Sequence, residues 1–341
     1  MQPSRAAARH LGLITRLRVR RMFGGSRAGN AACRRAIANS EMIRKFAFVG
    51  LVTLVPAVLG PAVRAAPAAS PSARPAPLRV LTTISTFVSF AKAVGGDRVT
   101  VSNLVPVGSS PEDYQPTPQD VARLHDTDVL IENGLGLEAW LQRTIDNARN
   151  DQLTTVVASA GLPVKGNNPH LWMDPELARG YVRAIARALS KRDPAGAAIY
   201  ARNAAAEDAK LVQLRRDVAG RIATIPPASR AMIVFHNAWQ YYDDRFGLRT
   251  VGVLELSPGQ EPNPKYVADL VTLAKRNHVK AVFAEPEYSP KLVQTLAESA
   301  GIATIENLYD DSIATAGAVH DYDSMLRYDT ATIVKALGGK S

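Results

Sequence analysis

The sequence predicts an α/β fold of two doubly wound lobes joined by one long rigid helix. Three observations carry this. From Leu78 to Ser159, short apolar runs alternate with stretches of helical spacing. The same alternation resumes at Ala231 and lasts to the C-terminal helix, and between the two runs lies a helical stretch longer than either lobe needs.

In order, "LRVLTTI" (78–84) is a strand, and "STFVSFAKAVGG" (85–96) is a helix closed by its glycines. "RVTVSNLV" (98–105) is the next strand. "TPQDVARLHD" (117–126) is a helix with Thr117 as its cap and Pro118 in its first turn. "TDVLIENG" (127–134) is a strand, "LEAWLQRTIDNA" (137–148) a helix and "TTVVAS" (154–159) a strand, which completes one lobe. Two helical stretches follow, at 175–191 and 195–223. The second has about 29 residues and, at 1.5 Å per residue, spans roughly 40 Å, the length of a strut between lobes. After "PPAS", the strands "AMIVFH", "VKAVFAEP" and "ATIENL" are separated by helices at 238–246, 263–277 and 290–299. "DYDSMLRYDTATIVKAL" is the closing helix. The expected organisation is an N-terminal extension and signal peptide over 1–66, a tether over 67–77, an N-terminal lobe over 78–193, a linking helix over 194–224 and a C-terminal lobe over 225–341.

The chain has 341 residues and a formal net charge of +10, which by itself suggests a nucleic-acid partner. The charge is confined to the leader. Residues 1–66 hold 12 of the 41 Lys and Arg but only one acid, Glu41, leaving 29 basic against 30 acidic residues beyond. That distribution removes the case for binding nucleic acid. Arg44 and Lys45 precede the apolar run "FAFVGLVTLVPAVLGPAV", and "VRAAPAAS" supplies small residues for cleavage near Ala66, so the leader reads as an export signal. Met42 stands just before the charged pair and is a candidate for the true start. A retained anchor is the alternative, although the run is short for a span and carries two prolines. The only cysteine, Cys33, lies upstream of the run, so the cleaved chain has no disulfide, thiolate metal site or lipidated cysteine. "PAASPSARPAP" (67–77) cannot build a core. A soluble, periplasmic, monomeric protein is expected.

In open α/β sheets, ligands bind beyond the carboxyl ends of the strands. The polar residues there are Glu112 and Asp113, His170, His236, Glu285, and Asp310 with Asp311. The stretch "VGSSPEDYQPTP" (107–118) is notable, because Gly108, Pro111, Pro116 and Pro118 hold two acids out on a stiff loop after an apolar strand. His10 lies in the leader, His125 and His278 end helices where the dipole suffices as a reason, and His320 opens the last helix. His170, between Pro169 and "LWMDP", and His236, ending an apolar strand, are the ligand candidates. Imidazoles and carboxylates from separate strand ends suit a transition metal, but their long spacing matches no short motif and does not establish one. No Gly-rich phosphate loop is present.

Six ordered motifs carry a resemblance. They are the segment 80–141 ("VLTTIST…GLEAWL"), "NPHLWMDP", "FHNAWQYYDDRFGL", "EPNPKYVADLV", "VFAEPEYSPKLVQTLAESAG" and "YDDSIATAG" with "YDSMLRYDTATI". Together, over about residues 78–338, the chain resembles the cluster A-I solute-binding proteins of ABC importers for zinc, manganese and iron. The resemblance implies one metal held between two lobes and a membrane permease as partner. It places His170 as second ligand, His236 as third and Asp311 as fourth. The first ligand is normally a histidine in "PHxYEPTP"; here "PEDYQPTP" puts Glu112 in its place. Two carboxylates with two imidazoles offset a divalent charge and favour harder ions, whereas zinc has the higher intrinsic affinity. The His/Asp-rich loop of many zinc members is absent. Zn²⁺ is slightly preferred over Mn²⁺, with Fe²⁺ third. Asp113 is read as loop solvation, Glu285 as lobe framework and Glu261 as a helix start. Two other classes remain: a metal-dependent hydrolase with an open coordination position, for which no general base is evident, and a surface adhesin on the same fold.

Overall fold

The structure is a computed structural model and describes residues 76–305, 307–314 and 317–340. The expected leader, signal peptide and cleavage site, Cys33, His10 and most of the 67–77 tether lie outside the described residues.

The chain builds two four-stranded, wholly parallel sheets. The first contains β1 (Leu78–Thr82), β2 (Val99–Asn103), β3 (Val129–Glu132) and β4 (Thr154–Val157), in the order β2-β1-β3-β4. The second contains β5 (Ala231–Val234), β6 (Arg249–Val253), β7 (Ala281–Phe283) and β8 (Ala303–Ile305), in the order β6-β5-β7-β8. Strand order therefore reverses beside β1 in one sheet and beside β5 in the other, which opens a crevice at the carboxyl ends of both. The helices are α1 (Ser85–Gly95), α2 (Pro118–His125), α3 (Leu141–Ala148), α4 (Pro175–Arg192), α5 (Ala197–Ile222), α6 (Gln240–Phe246), α7 (Pro264–Arg276), α8 (Lys291–Ala300) and α9 (Tyr322–Leu337).

Two-residue alternation along each strand decides which helices cover which face. Val80, Val129 and Ile131 join one apolar cluster with Phe87, Phe90, Tyr181 and Ile185 of α1 and α4. Leu81 and Leu130 point the other way, to Leu124 of α2 and Leu141 and Ala148 of α3. In the second sheet, Met232, Val234 and Phe283 enter the same cluster as Val80, whereas Ile233 and Val282 face Leu270 and Ala274 of α7 and Val293 and Leu296 of α8. Each sheet is thus covered on both faces. Each keeps a private core on its outer face and shares a central one with the other.

Helix α5 lies along that shared core. Its 26 residues extend about 39 Å. Tyr200, Ala204, Glu207, Leu211, Leu214, Val218 and Ile222 form its buried stripe, at the three- and four-residue steps that put side chains on one helix face. The helix packs against α1 and α4 of the first lobe and α9 and α6 of the second. The long joining helix is therefore packed against both lobes along one face, while its other face is exposed.

Three local readings are settled here. Thr117 and Pro118 start α2, with Thr117 and Asp120 forming a reciprocal capping box. Glu261 does not start α7: Asn263 is the cap, its side chain accepting from the Tyr266 N–H at 2.9 Å, and Glu261 is exposed. Strand β6 was not foreseen. "RTVGV" lies at the sheet edge with only partial burial, so it needs no continuous apolar run. Gly252 within it lets Leu270 pack onto the strand, since a Cβ there would lie 2.6 Å from Leu270 Cδ2.

Candidate metal site

The converging residues sit on loops at the carboxyl ends of four strands, β4, β5, β7 and β8. His170 follows β4. The turn Leu171–Met173 and the α4 cap Asp174 fix the chain after it, Asp174 accepting from the Glu176 N–H at 2.9 Å. His236 lies two residues beyond β5, and Glu285 two residues beyond β7, the strand beside it. Asp310 and Asp311 follow β8, and their backbone is pinned by the first lobe. Trp172 Nε1–H donates to the Asp310 carbonyl at 3.0 Å, and the Thr86 hydroxyl lies 3.2 Å from the carbonyls of both Asp310 and Asp311.

His170 Nε2 and His236 Nε2 face each other at 3.2 Å. Asp311 reaches both rings, with Oδ1 3.6 Å from His170 Nε2 and Oδ2 3.9 Å from His236 Nε2. These three donor atoms lie within 4.8 Å of one another, and all three residues are buried. A second trio shares a member: His236 Nδ1 pairs with Glu285 Oε2, and Asp310 Oδ2 lies 3.7 Å from the same nitrogen. Glu285 accordingly does more than frame the lobe. A carboxylate only accepts, so Glu285 sets the Nδ1–H on His236 and turns Nε2 toward His170.

Both carboxylate oxygens of Asp311, Oδ2 of Asp310 and Oε1 of Glu285 are buried with no hydrogen-bond partner. Unpartnered buried acceptors are costly unless something positive meets them. The electrostatics agree. Burial pushes the Asp310 and Asp311 carboxyls well above the usual carboxylate range. Burial and then the neighbouring His236 push His170 well below the usual imidazole value. Burial also opposes a charge on His236, but Glu285, Asp310 and Asp311 outweigh it and hold that ring well above its ordinary value.

Glu112 lines a cavity of about 440 Å³ together with His170, His236 and Glu255. It is half-buried, and its carboxylate is not among the donor atoms that converge within 4.8 Å. Burial raises its pKa, and His236 opposes that rise. The loop carrying it is anchored, as Trp140 Nε1–H donates to the Pro111 carbonyl at 2.8 Å and the Tyr114 hydroxyl to Asp120 at 2.8 Å. Asp113 is exposed. His125 bonds the Ala148 carbonyl at 2.9 Å, and His320 is exposed beside Asp321, so neither joins the cluster. Glu255 was missed in the sequence. It follows β6, and an unrecognised strand leaves its carboxyl-end loop unsearched. Asn168, against His170, was also missed, since an amide in a loop gives no signal of its own.

The chain is similar to several known metal-binding proteins. The family model described as "Zinc-uptake complex component A periplasmic" matches residues 80–336. Manganese-binding lipoprotein MntA of Halalkalibacterium halodurans is 31% identical over 265 residues, covering 76% of this chain and 88% of that protein. Iron-binding protein YfeA of Yersinia pestis is 29% identical over 279 residues, covering 79% and 89%. Among solved structures, the crystal structure of ZnuA superimposes with a TM-score of 0.68 at 29% identity, covering 78% of this chain and 100% of that one. The Cd-bound periplasmic metal binding protein from Candidatus Liberibacter asiaticus gives 0.69 at 25% identity, covering 76% and 99%. With its two parallel sheets meeting around buried imidazoles and carboxylates, the chain belongs to the zinc-uptake complex component A family.

Proposed function

We propose that the chain captures a divalent transition-metal ion in the crevice between its two sheets and delivers it to the membrane permease of an ABC importer. The observation that carries this reading is the convergence of His170, His236 and Asp311 with buried carboxylate oxygens left unpartnered. Those three residues are the proposed ligands. Glu112, on the loop at the cavity wall, is proposed as the fourth, moving in from its half-buried position when the cation arrives. Two imidazole nitrogens with carboxylate oxygens form a borderline donor set that suits Zn²⁺, Mn²⁺ or Fe²⁺. Zinc is preferred on intrinsic affinity, with manganese next because carboxylates can bind through both oxygens.

The work is binding and release, with no bond broken. A chain whose apolar run and cleavage site direct export, and whose cysteine precedes that run, is proposed to act free in the periplasm. The manganese-binding relative is named a lipoprotein; cleavage near Ala66 would leave this chain no cysteine to lipidate. All four proposed ligands come from one chain, which supports a monomer as the acting form. Competitive titration of the purified protein with Zn²⁺, Mn²⁺ and Fe²⁺ tests the reading. One equivalent bound in the order zinc, manganese, iron is expected, and absence of stoichiometric binding of all three would overturn it.

A further inference from the structure

We propose that Asn168 is a positioning residue for this site, its amide fixing which nitrogen of His170 faces the crevice and strapping the two histidine-bearing segments together. The proposal rests on His170 and His236 being metal ligands.

Two neighbours with one role each orient the amide. The backbone N–H of His170 can only donate, and it meets Asn168 Oδ1 at 3.0 Å. The carbonyl of Asn237 can only accept, and it meets Asn168 Nδ2 at 2.6 Å. Oδ1 is therefore also the atom that lies 3.0 Å from His170 Nδ1, and an amide oxygen can only accept. The hydrogen of the neutral ring must then sit on Nδ1. Nε2 keeps its lone pair and points it at His236 Nε2 and Asp311. The other tautomer would carry a hydrogen where a metal ligand needs a lone pair.

The strap follows from chain positions. Asn168 lies two residues before His170, and Asn237 directly follows His236. One hydrogen bond between them closes a short bridge from one lobe to the other, next to both ligands. The backbone of Asn168 is tied across as well. The Tyr241 hydroxyl donates to the Asn168 carbonyl at 2.9 Å and accepts from the Lys165 N–H at 2.9 Å. Asn168 is 7% exposed, so water does not readily replace these partners.

Two substitutions separate the two roles. Asn168→Asp keeps an acceptor for Nδ1–H but cannot donate to Asn237; Asn168→Ala removes both. The readouts are the ring ¹⁵N spectrum of His170 in the metal-free protein at pH 8, Zn²⁺ affinity, and the rate of zinc loss to a chelator. Asn168→Asp should keep the Nδ1–H tautomer and hold affinity within about threefold, while losing zinc faster. Asn168→Ala should lose the single tautomer and bind zinc about 10–100-fold more weakly, the range for removing a partner of a ligating histidine. A folded Asn168→Ala protein with the wild-type tautomer and affinity would overturn the tautomer role. Zinc loss from Asn168→Asp as slow as from wild type would overturn the strap. Wild-type protein that binds none of the three metals removes the functional reading together with this one, whereas binding by wild type with unchanged variants removes this one alone.

Discussion

Glu112 occupies the loop position where the resembling family carries a histidine, and the structure leaves its carboxylate at the cavity wall, apart from the three converging donors. If it closes on the cation as the fourth ligand, Glu112→Ala weakens binding while His170→Ala and His236→Ala nearly abolish it. The histidine changes should cost at least about 100-fold, more than the loss of an outer hydrogen-bond partner. Glu112→His should restore affinity and shift preference toward zinc. Equilibrium competition with a chromophoric chelator measures all four proteins, and an unchanged affinity for Glu112→Ala would strike that residue from the ligand set. Protons compete with the metal at the same atoms. Free protein holds His236 protonated above its ordinary range, because Glu285, Asp310 and Asp311 together outweigh burial, and burial keeps Asp310 and Asp311 protonated above theirs. The cation must displace those protons, so affinity rises with pH and falls as pH drops. Each proton displaced contributes about tenfold per pH unit. Dissociation constants at pH 8, 7 and 6 should therefore climb steeply, and a flat profile would contradict imidazole ligation. His170, His236 and Asp311 were legible because a proline-framed turn, a strand end and a resembling motif each mark one of them. The hydrogen bonds that aim them were not, since Asn168 and Glu285 act through contacts that only the folded chain creates.

At the scale of elements, seven of the eight strands are readable as apolar or alternating runs, and the four inner ones, β1, β3, β5 and β7, are covered on both faces. Strand β6 escapes because it is a half-buried edge strand whose short apolar pattern is broken by Gly252, and Glu255 escapes with it. The long helix was legible in length and place but not in burial, since its contribution comes from a stripe matched to partners in both lobes. Leu214 sits fully buried on that stripe, in the cluster that also holds Phe87 of the first lobe and Met232 of the second. Leu214→Ala should destabilise the protein by about 3 kcal/mol through lost burial and the cavity left behind. Because the core is shared, urea unfolding should remain a single transition shifted to lower denaturant, with fluorescence and circular dichroism coinciding. Two separated transitions would show that the lobes fold on private cores and that α5 is only a connector.

Over the whole molecule, the question is how far the lobes can part to load and release an ion. Hinge closure needs an interface that opens without exposing a core, and here the central apolar cluster is continuous from β1 to α9. Polar ties reinforce it near the site. Arg245 of α6 grips Asp174 with bonds of 2.7–2.9 Å, the Tyr322 hydroxyl donates to the Trp172 carbonyl at 2.5 Å, and the Tyr322 N–H donates to the Ser89 hydroxyl at 3.1 Å. Opening the lobes widely would break these bonds and wet the cluster, so metal exchange should proceed through the loops at the strand ends instead. Asn147 of α3 and Ala268 of α7 are exposed, lie on opposite lobes and sit on helices rather than on the strand-end loops, which makes them suitable for spin labels. The distance between labels there should change by no more than about 2 Å between metal-free and zinc-loaded protein, the scale of a slip between packed helices. A change of many ångströms would mean that the shared core parts on release, and that α5 bends where its buried stripe says it should not.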